Sequence, residues 1–151
     1  MTRWLRAGVR ADPREAAQVR QRKGRARQDR ERRTEEARRT WDRGALRPWL
    51  LTMALDMRGL DGPEVDVACG VEEPMVDLWE AGEVYPTWEQ LLALAELTGM
   101  YVWWFFIPHR PMGETTLRYH LPGYTSPPEP IPRFQTAAIE RTVGHPVRPL
   151  D

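Results

Sequence analysis

Cysteine, serine and lysine each occur once in this chain of 151 residues, and histidine three times. Cys69 alone leaves no partner for an internal disulfide and no cysteine cluster for a metal. It falls in an apolar segment and reads as a small core residue. Ser126 stands among prolines, without the strand-turn-helix setting that a nucleophile elbow needs. His109, His120 and His145 are widely spaced, with no pair on one helical face for a metal. No glycine-rich loop is available to cradle phosphate. These gaps point away from an enzyme, and from a cofactor, a metal or a small-molecule substrate. No apolar run approaches membrane-spanning length. The amino end is too charged for a secretory segment and too acidic for a transit peptide. A cytoplasmic protein with no membrane partner is the default expectation.

What is present is charge, unevenly spread. The net charge is zero, yet Met1–Pro48 holds 16 Arg/Lys against 7 Asp/Glu, while Trp49–Met112 holds 2 against 11. The balance runs from about +9 to about −9. This suggests a basic arm joined to an acidic folded module. Lys23 is the only lysine, so every other basic residue is arginine. A GC-rich genome accounts for such a bias, and so does phosphate contact, because the planar guanidinium can bind two oxygens at once.

Three segments follow. Residues 1–47 are rich in Ala, Gln, Glu and Arg, all good helix formers, and pairs such as Glu31–Glu35 and Glu36–Arg39 lie on neighbouring turns. Large apolar residues are almost absent, so a marginal, charged arm without a core-building face, helical or partly disordered, is expected, weakened at Gly24. Residues 48–107 hold nearly all the core-forming material. Pro48 opens a helix through Trp49, Leu50, Met53, Ala54 and Met57 that ends at Gly59. Asp61 and Glu64 form a plausible cap pair for a second helix, with Pro63 in its first turn and Gly70 at its end. Pro74 opens a third through Met75, Val76, Leu78 and Trp79, stopped near Gly82. Thr87 and Gln90 make a capping box for a fourth, buried through Leu91, Leu92, Leu94, Ala95 and Leu97 and ended by Gly99. Tyr101–Ile107 reads as a closing helix. Residues 108–151 carry 9 of the 14 prolines. Pro127, Pro128, Pro130 and Pro132 favour extended backbone; Phe134–Val143 has room for one or two helical turns. Tyr119, Leu121 and Tyr124 are the candidates for packing this tail on the bundle, the alternative being an unstructured tail.

The run Trp79–Glu80–Ala81–Gly82, then Pro86, Leu91–Leu92–Ala95 and Gly99, resembles the second half of the helix-turn-helix domain of phage-type repressors, the Cro/cI (XRE-like) family. Met100–Phe106 matches that family's closing segment. Arg58–Gly59–Leu60 resembles the end of its first helix, and Gly70–Val71 its turn between the second and third. The match covers roughly 60 residues, Pro48 to Phe106. It implies an all-α, five-helix repressor-like helix-turn-helix bundle whose third helix is offered to the DNA major groove. Some positions depart from the family. Gly62 stands where a phosphate-touching glutamine is usual, Asp66 where a small buried alanine is usual, and Leu55 where an arginine commonly pairs with the glutamate at Glu80. Glu80 is left with Arg58, an arm arginine or solvent.

Two functions from different classes follow. In the first, the resemblance implies a DNA-binding transcriptional regulator of repressor type, of phage or mobile-element flavour. Double-stranded DNA would be held by phosphate contacts from Arg20, Arg22, Lys23, Arg25, Arg27, Arg30, Arg32 and Arg33. In the second, the fold serves a protein-binding adaptor. The exposed third-helix positions Glu72, Glu73, Pro74, Asp77 and Glu83 would meet phosphate with repulsion, although a carboxylate can accept from a cytosine amino group. With Tyr85 and Trp88 in the following loop, they would face a protein partner instead. The charge split also allows the arm of the same or a sister chain to bind the acidic module. Monomer and homodimer both remain open.

Overall fold

A computed structural model describes Arg10, residues 12–106 and residues 131–148. Tyr119, Leu121, Tyr124, Ser126, His109, His120 and the prolines from Pro108 to Pro130 lie outside the described residues. The secondary structure of the described residues is helical, without strands. The chain divides into two compact units, Met1–Arg33 and Thr34–Asp151.

The first unit holds the start of α1 (Pro13–Asp42). Asp12 starts the helix by accepting the backbone N–H of Arg14 on its carboxylate at 2.9 Å, which satisfies one of the orphan donors of the first turn. Continuation through Gly24 follows from the strong formers around it. No residue of α1 before Ala37 is buried, as expected of a helix without an apolar stripe.

In the second unit the end of α1 changes character. Ala37 is buried and Trp41 packs against the core. The packed module therefore begins at residue 34, earlier than the expected boundary near 48. Only three apolar side chains, Ala37, Trp41 and Leu46, carry this extension, too few to show as periodicity. α2 (Pro48–Arg58) has proline at its first position and ends at Gly59, whose left-handed conformation lets its N–H reach the last turn. Trp49, Leu50, Leu51, Met53, Ala54 and Leu55 are buried. α3 (Pro63–Ala68) starts one residue later than the expected cap. Gly62, at φ 82°, is the N-cap, and no side chain caps the helix. Asp61 stays exposed, because the sharp turn at Gly62 sets it outside the helix.

α4 (Met75–Glu80) buries Val76 and Trp79. α5 (Trp88–Thr98) has the full capping box. The N–H of Gln90 donates to Thr87 Oγ1 at 3.2 Å, and the N–H of Thr87 donates to Gln90 Oε1 at 2.9 Å, a device worth about 1 kcal/mol. Leu91, Leu94, Ala95 and Thr98 form its buried stripe. Leu92 is exposed instead, because it lies one residue, about 100° of helix, away from Leu91 on that stripe. The closing segment is a 3-10 helix, Val102–Phe106. Its buried residues, Val102 and Phe105, are three apart, the repeat of that tighter helix. α2 packs on α4, α5 and the 3-10 helix, and α3 packs on α4 and α5. Trp79, fully buried, lies in this core, and its indole N–H has no hydrogen-bond partner among the described residues.

After the undescribed stretch, Phe134 and α6 (Thr136–Val143) add Ala138 and Ile139 to the buried set. Here the tail is helical and packed. The N–H of Gln135 donates to Gly82 O at 3.1 Å, and Thr142 Oγ1 donates to Tyr85 O at 2.7 Å. No helix among the described residues is long and apolar enough to cross a membrane.

Candidate nucleic-acid and partner interfaces

The basic residues expected to touch phosphate are all exposed: Arg20, Arg22, Lys23, Arg25, Arg27, Arg30, Arg32 and Arg33. Their placement on α1 sorts them. Arg20, Lys23, Arg27 and Arg30 recur at spacings of three and four and so lie along one side, over about 15 Å of helix. Arg32 and Arg33 instead turn to Asp29, at 2.6 and 3.1 Å. The hydrogen bond from Arg32 leads in holding the Asp29 carboxyl below its ordinary value. Arg27 Nε also meets Glu31 at 3.2 Å, with both side chains largely exposed. Ion pairs this open are readily exchanged for another anion.

The second candidate surface surrounds α4. Its N-cap is Pro74, which has no side-chain acceptor to offer. Asp66 on α3 supplies one: its Oδ1 accepts the N–H of Val76 at 2.9 Å. Asp66 is buried, and its carboxylate fixes α4 against α3. Beside this bond lies a cavity of about 150 Å³, walled by Asp56, Asp61, Asp66, Glu73, Asp77 and Glu80, with Leu55, Val65 and Val76 among its apolar residues. No arginine or lysine lines it.

Glu80 takes none of the partners expected for it. Arg58 Nε donates to Thr98 O at 2.7 Å, and Glu80 is hydrogen-bonded to Thr52 on α2. Burial, followed by repulsion from Asp77, Asp56 and Asp66, raises the Glu80 pKa despite that bond. Among the described residues no cluster of His, Cys, Asp and Glu is arranged to hold a metal ion. Cys69 is buried, as expected, and burial followed by the charge of Asp66 pushes its thiol up to about 11. At neutral pH it is protonated and a poor nucleophile.

Glu72, Glu73, Pro74, Asp77 and Glu83 are exposed, as a surface role requires. Tyr85 and Trp88 are not. Both are buried, Tyr85 at 1% and Trp88 at 6% exposure, which removes them from any interface. Tyr85 Oη donates to Trp41 O at 2.7 Å, and its ring packs 6.0 Å from Trp41 and edge-on to Phe134 at 4.9 Å. Trp41 in turn donates its indole N–H to Pro86 O at 2.9 Å. The loop aromatics thus join the end of α1, the α4–α5 connection and the tail. A proline-flanked loop gives no sign of that closure, since the partners lie some 45 residues away in each direction.

No family model matches the chain, and no curated protein or solved structure is similar to it.

Proposed function

We propose that the chain is a DNA-binding regulator of repressor type, in which the helix-turn-helix scaffold of the Cro/cI (XRE-like) family is formed by α3 and α4 and the phosphate contacts come from α1. The observation that carries this reading is the exposed stripe of Arg20, Lys23, Arg27 and Arg30. Four cations along about 15 Å suit a phosphate backbone, where each neutralised phosphate releases condensed counterions. Such contact positions a protein without reading sequence. The α4 face adds no cation to it, so base readout by this helix is confined to what carboxylates can accept.

The test uses the full chain and a pool of random duplex DNA over a range of salt. Binding should fall steeply with salt and select no strong motif. Replacing the four stripe residues by glutamine should lower the slope of log K against log salt by roughly 3.6. An unchanged slope would remove the stripe from the interface, and no binding by the parent chain would end the DNA reading.

One observation favours a second reading, a helix-turn-helix-derived adaptor. Glu72, Glu73, Asp77 and Glu83 are exposed beside a cavity walled by carboxylates, a field suited to an Arg- or Lys-rich protein segment. Under this reading a poly-arginine peptide binds the full chain, and Glu73→Gln with Asp77→Asn weakens that binding while leaving DNA affinity unchanged or raised.

A further inference from the structure

Asp66 is only 5% exposed, and one oxygen of its carboxylate is committed to the N–H of Val76. The other, Oδ2, accepts no hydrogen bond among the described residues. A buried carboxylate oxygen without a donor is costly, and Asp66 lines the cavity of about 150 Å³ beside α4. Five further carboxylates share that wall, set against apolar Leu55, Leu60, Val65 and Val76. Within residues 49–106 the one cation is Arg58, which lies outside the wall and donates from Nε to Thr98 O. The cavity thus lacks a cationic donor from its own module. A guanidinium suits it better than an ammonium, because its planar fork serves several carboxylate oxygens at once and its aliphatic stem packs on apolar surface. A cavity of about 150 Å³ takes up a benzene ring, and a guanidinium is smaller.

The matching cations are on α1. Arg20, Arg22, Arg25 and Arg30 are exposed there and form no ion pair among the described residues. We propose that the cavity receives an arginine from the α1 arm of a second copy of this chain. This rests on the protein-binding reading of the α4 face, with the sister arm as the partner. Charge decides in favour of a second copy. Met1–Pro48 holds 16 Arg/Lys against 7 Asp/Glu, and Trp49–Met112 holds 2 against 11, so the two excesses are equal and opposite. A foreign basic segment would neutralise the acidic face and leave the arm's excess unmatched. In a two-fold pair each arm meets the other copy's face, both excesses cancel, and the contact closes on itself. The exposed Glu72, Glu73, Asp77 and Glu83 offer carboxylates to further arm cations. Exposed pairs of that kind are individually weak, so the arginine in the cavity supplies the specificity.

The test is sedimentation of the full chain over a range of concentration and salt. Pairs should form as concentration rises and dissociate as salt is raised. Glu73→Gln with Asp77→Asn changes only exposed positions of the face and should weaken pairing at least about tenfold. Lysine at positions 20, 22, 25 and 30 keeps the charge of the arm but removes the guanidinium, and should weaken pairing by about as much. Mixing the face variant with a chain carrying glutamine at those arm positions should pair more tightly than either variant alone, because one intact arm then meets one intact face. A chain that stays monomeric at every concentration, pairing insensitive to salt or to the face variant, unchanged pairing with the lysine arm, or no gain on mixing would each overturn the proposal. A monomeric chain that still binds poly-arginine would remove the sister arm alone and leave the adaptor reading standing.

Discussion

The carboxylate of Asp66, on α3 and only 5% exposed, accepts the backbone N–H of Val76 in the first turn of α4 at 2.9 Å. The same residue's carbonyl accepts the N–H of Val71 at 3.0 Å, in the connection between the two helices. One residue thereby holds both the turn and the helix that follows. Asp66→Ala strands a buried N–H and should cost about 1–3 kcal/mol by denaturant unfolding. Asp66→Asn keeps an oxygen acceptor and should lose clearly less. Equal losses in the two variants would show that packing volume, not the cap, sets the cost.

Glu80 gives the opposite prediction, because here the charge is the liability. Its folded pKa is raised, by burial first, above the ordinary glutamate value of 4.5. The ionised form is therefore penalised in the fold at neutral pH, and the penalty lifts as pH falls through the raised value toward 4.5. Glu80→Gln keeps an acceptor for Thr52 and removes repulsion with Asp77, Asp56 and Asp66. Its Tm at neutral pH should exceed that of the parent by on the order of 2 °C, and the gain should vanish near pH 4. A variant that is less stable at neutral pH would refute this account of Glu80.

The local signals of the sequence carried much of this fold. Pro48, Gly59, the Thr87–Gln90 box and Gly99 act through neighbours within one turn, so the ends of α2 and α5 were legible from spacing alone. The buried sides of α2 and α5 were legible for the same reason, apart from Leu92, which is exposed, and Leu97, which is only half-buried. What escaped notice depends on distant partners. Tyr85 and Trp88 looked like loop aromatics until Trp41, from a helix with no other large buried residue, and Phe134, from the tail, closed over Tyr85. The placement of Asp61 failed because Pro63 and the positive φ of Gly62 together moved the cap by one residue. Of the candidate surfaces, exposure of the arm arginines and of the α4 carboxylates could be read from composition.

His145 gives the tail a pH-dependent tie. Its Nδ1 lies 3.0 Å from Pro146 O and its Nε2 lies 2.9 Å from Asp42 Oδ1. Both oxygens are acceptors, so the ring satisfies them together only when both nitrogens carry protons. The Pro146 hydrogen bond first, and then that of Asp42, raise the histidine pKa above its ordinary 6.5. Glu140 adds to the shift in the same direction. A raised folded value means that the contribution is fully present below 6.5 and is lost as pH rises through the folded value. The Tm difference between the parent and His145→Gln should therefore be largest at about pH 6 and shrink toward zero by about pH 9. A difference independent of pH would mean that the ring acts by packing and not by charge.

The tail's attachment should depend most sharply on Gly82. A Cβ built there would lie 2.3 Å from Arg133 O and 2.9 Å from Arg133 C, at φ +76°. Both partners are backbone, so neither can swing aside as a side chain would. The carbonyl of Gly82 is also the acceptor for Gln135 N–H at 3.1 Å. Gly82→Ala thus combines a strained backbone, a clash and a displaced hydrogen bond at one point, and should cost more than about 2 kcal/mol. Gly59→Ala is the matched control. Its φ is also positive, at +61°, but nothing lies within 4 Å of the added methyl, which leaves only the backbone penalty of about 1 kcal/mol. Hydrogen exchange separates the two cases. The amides of α6 and of Gln135 should exchange faster in Gly82→Ala relative to those of α5, because the tail is released before the bundle opens. In Gly59→Ala the protection of α6 should stay in step with the rest of the module. Equal loosening of α6 in both variants would show that the tail is held by the stability of the whole module and not by its seat on Gly82.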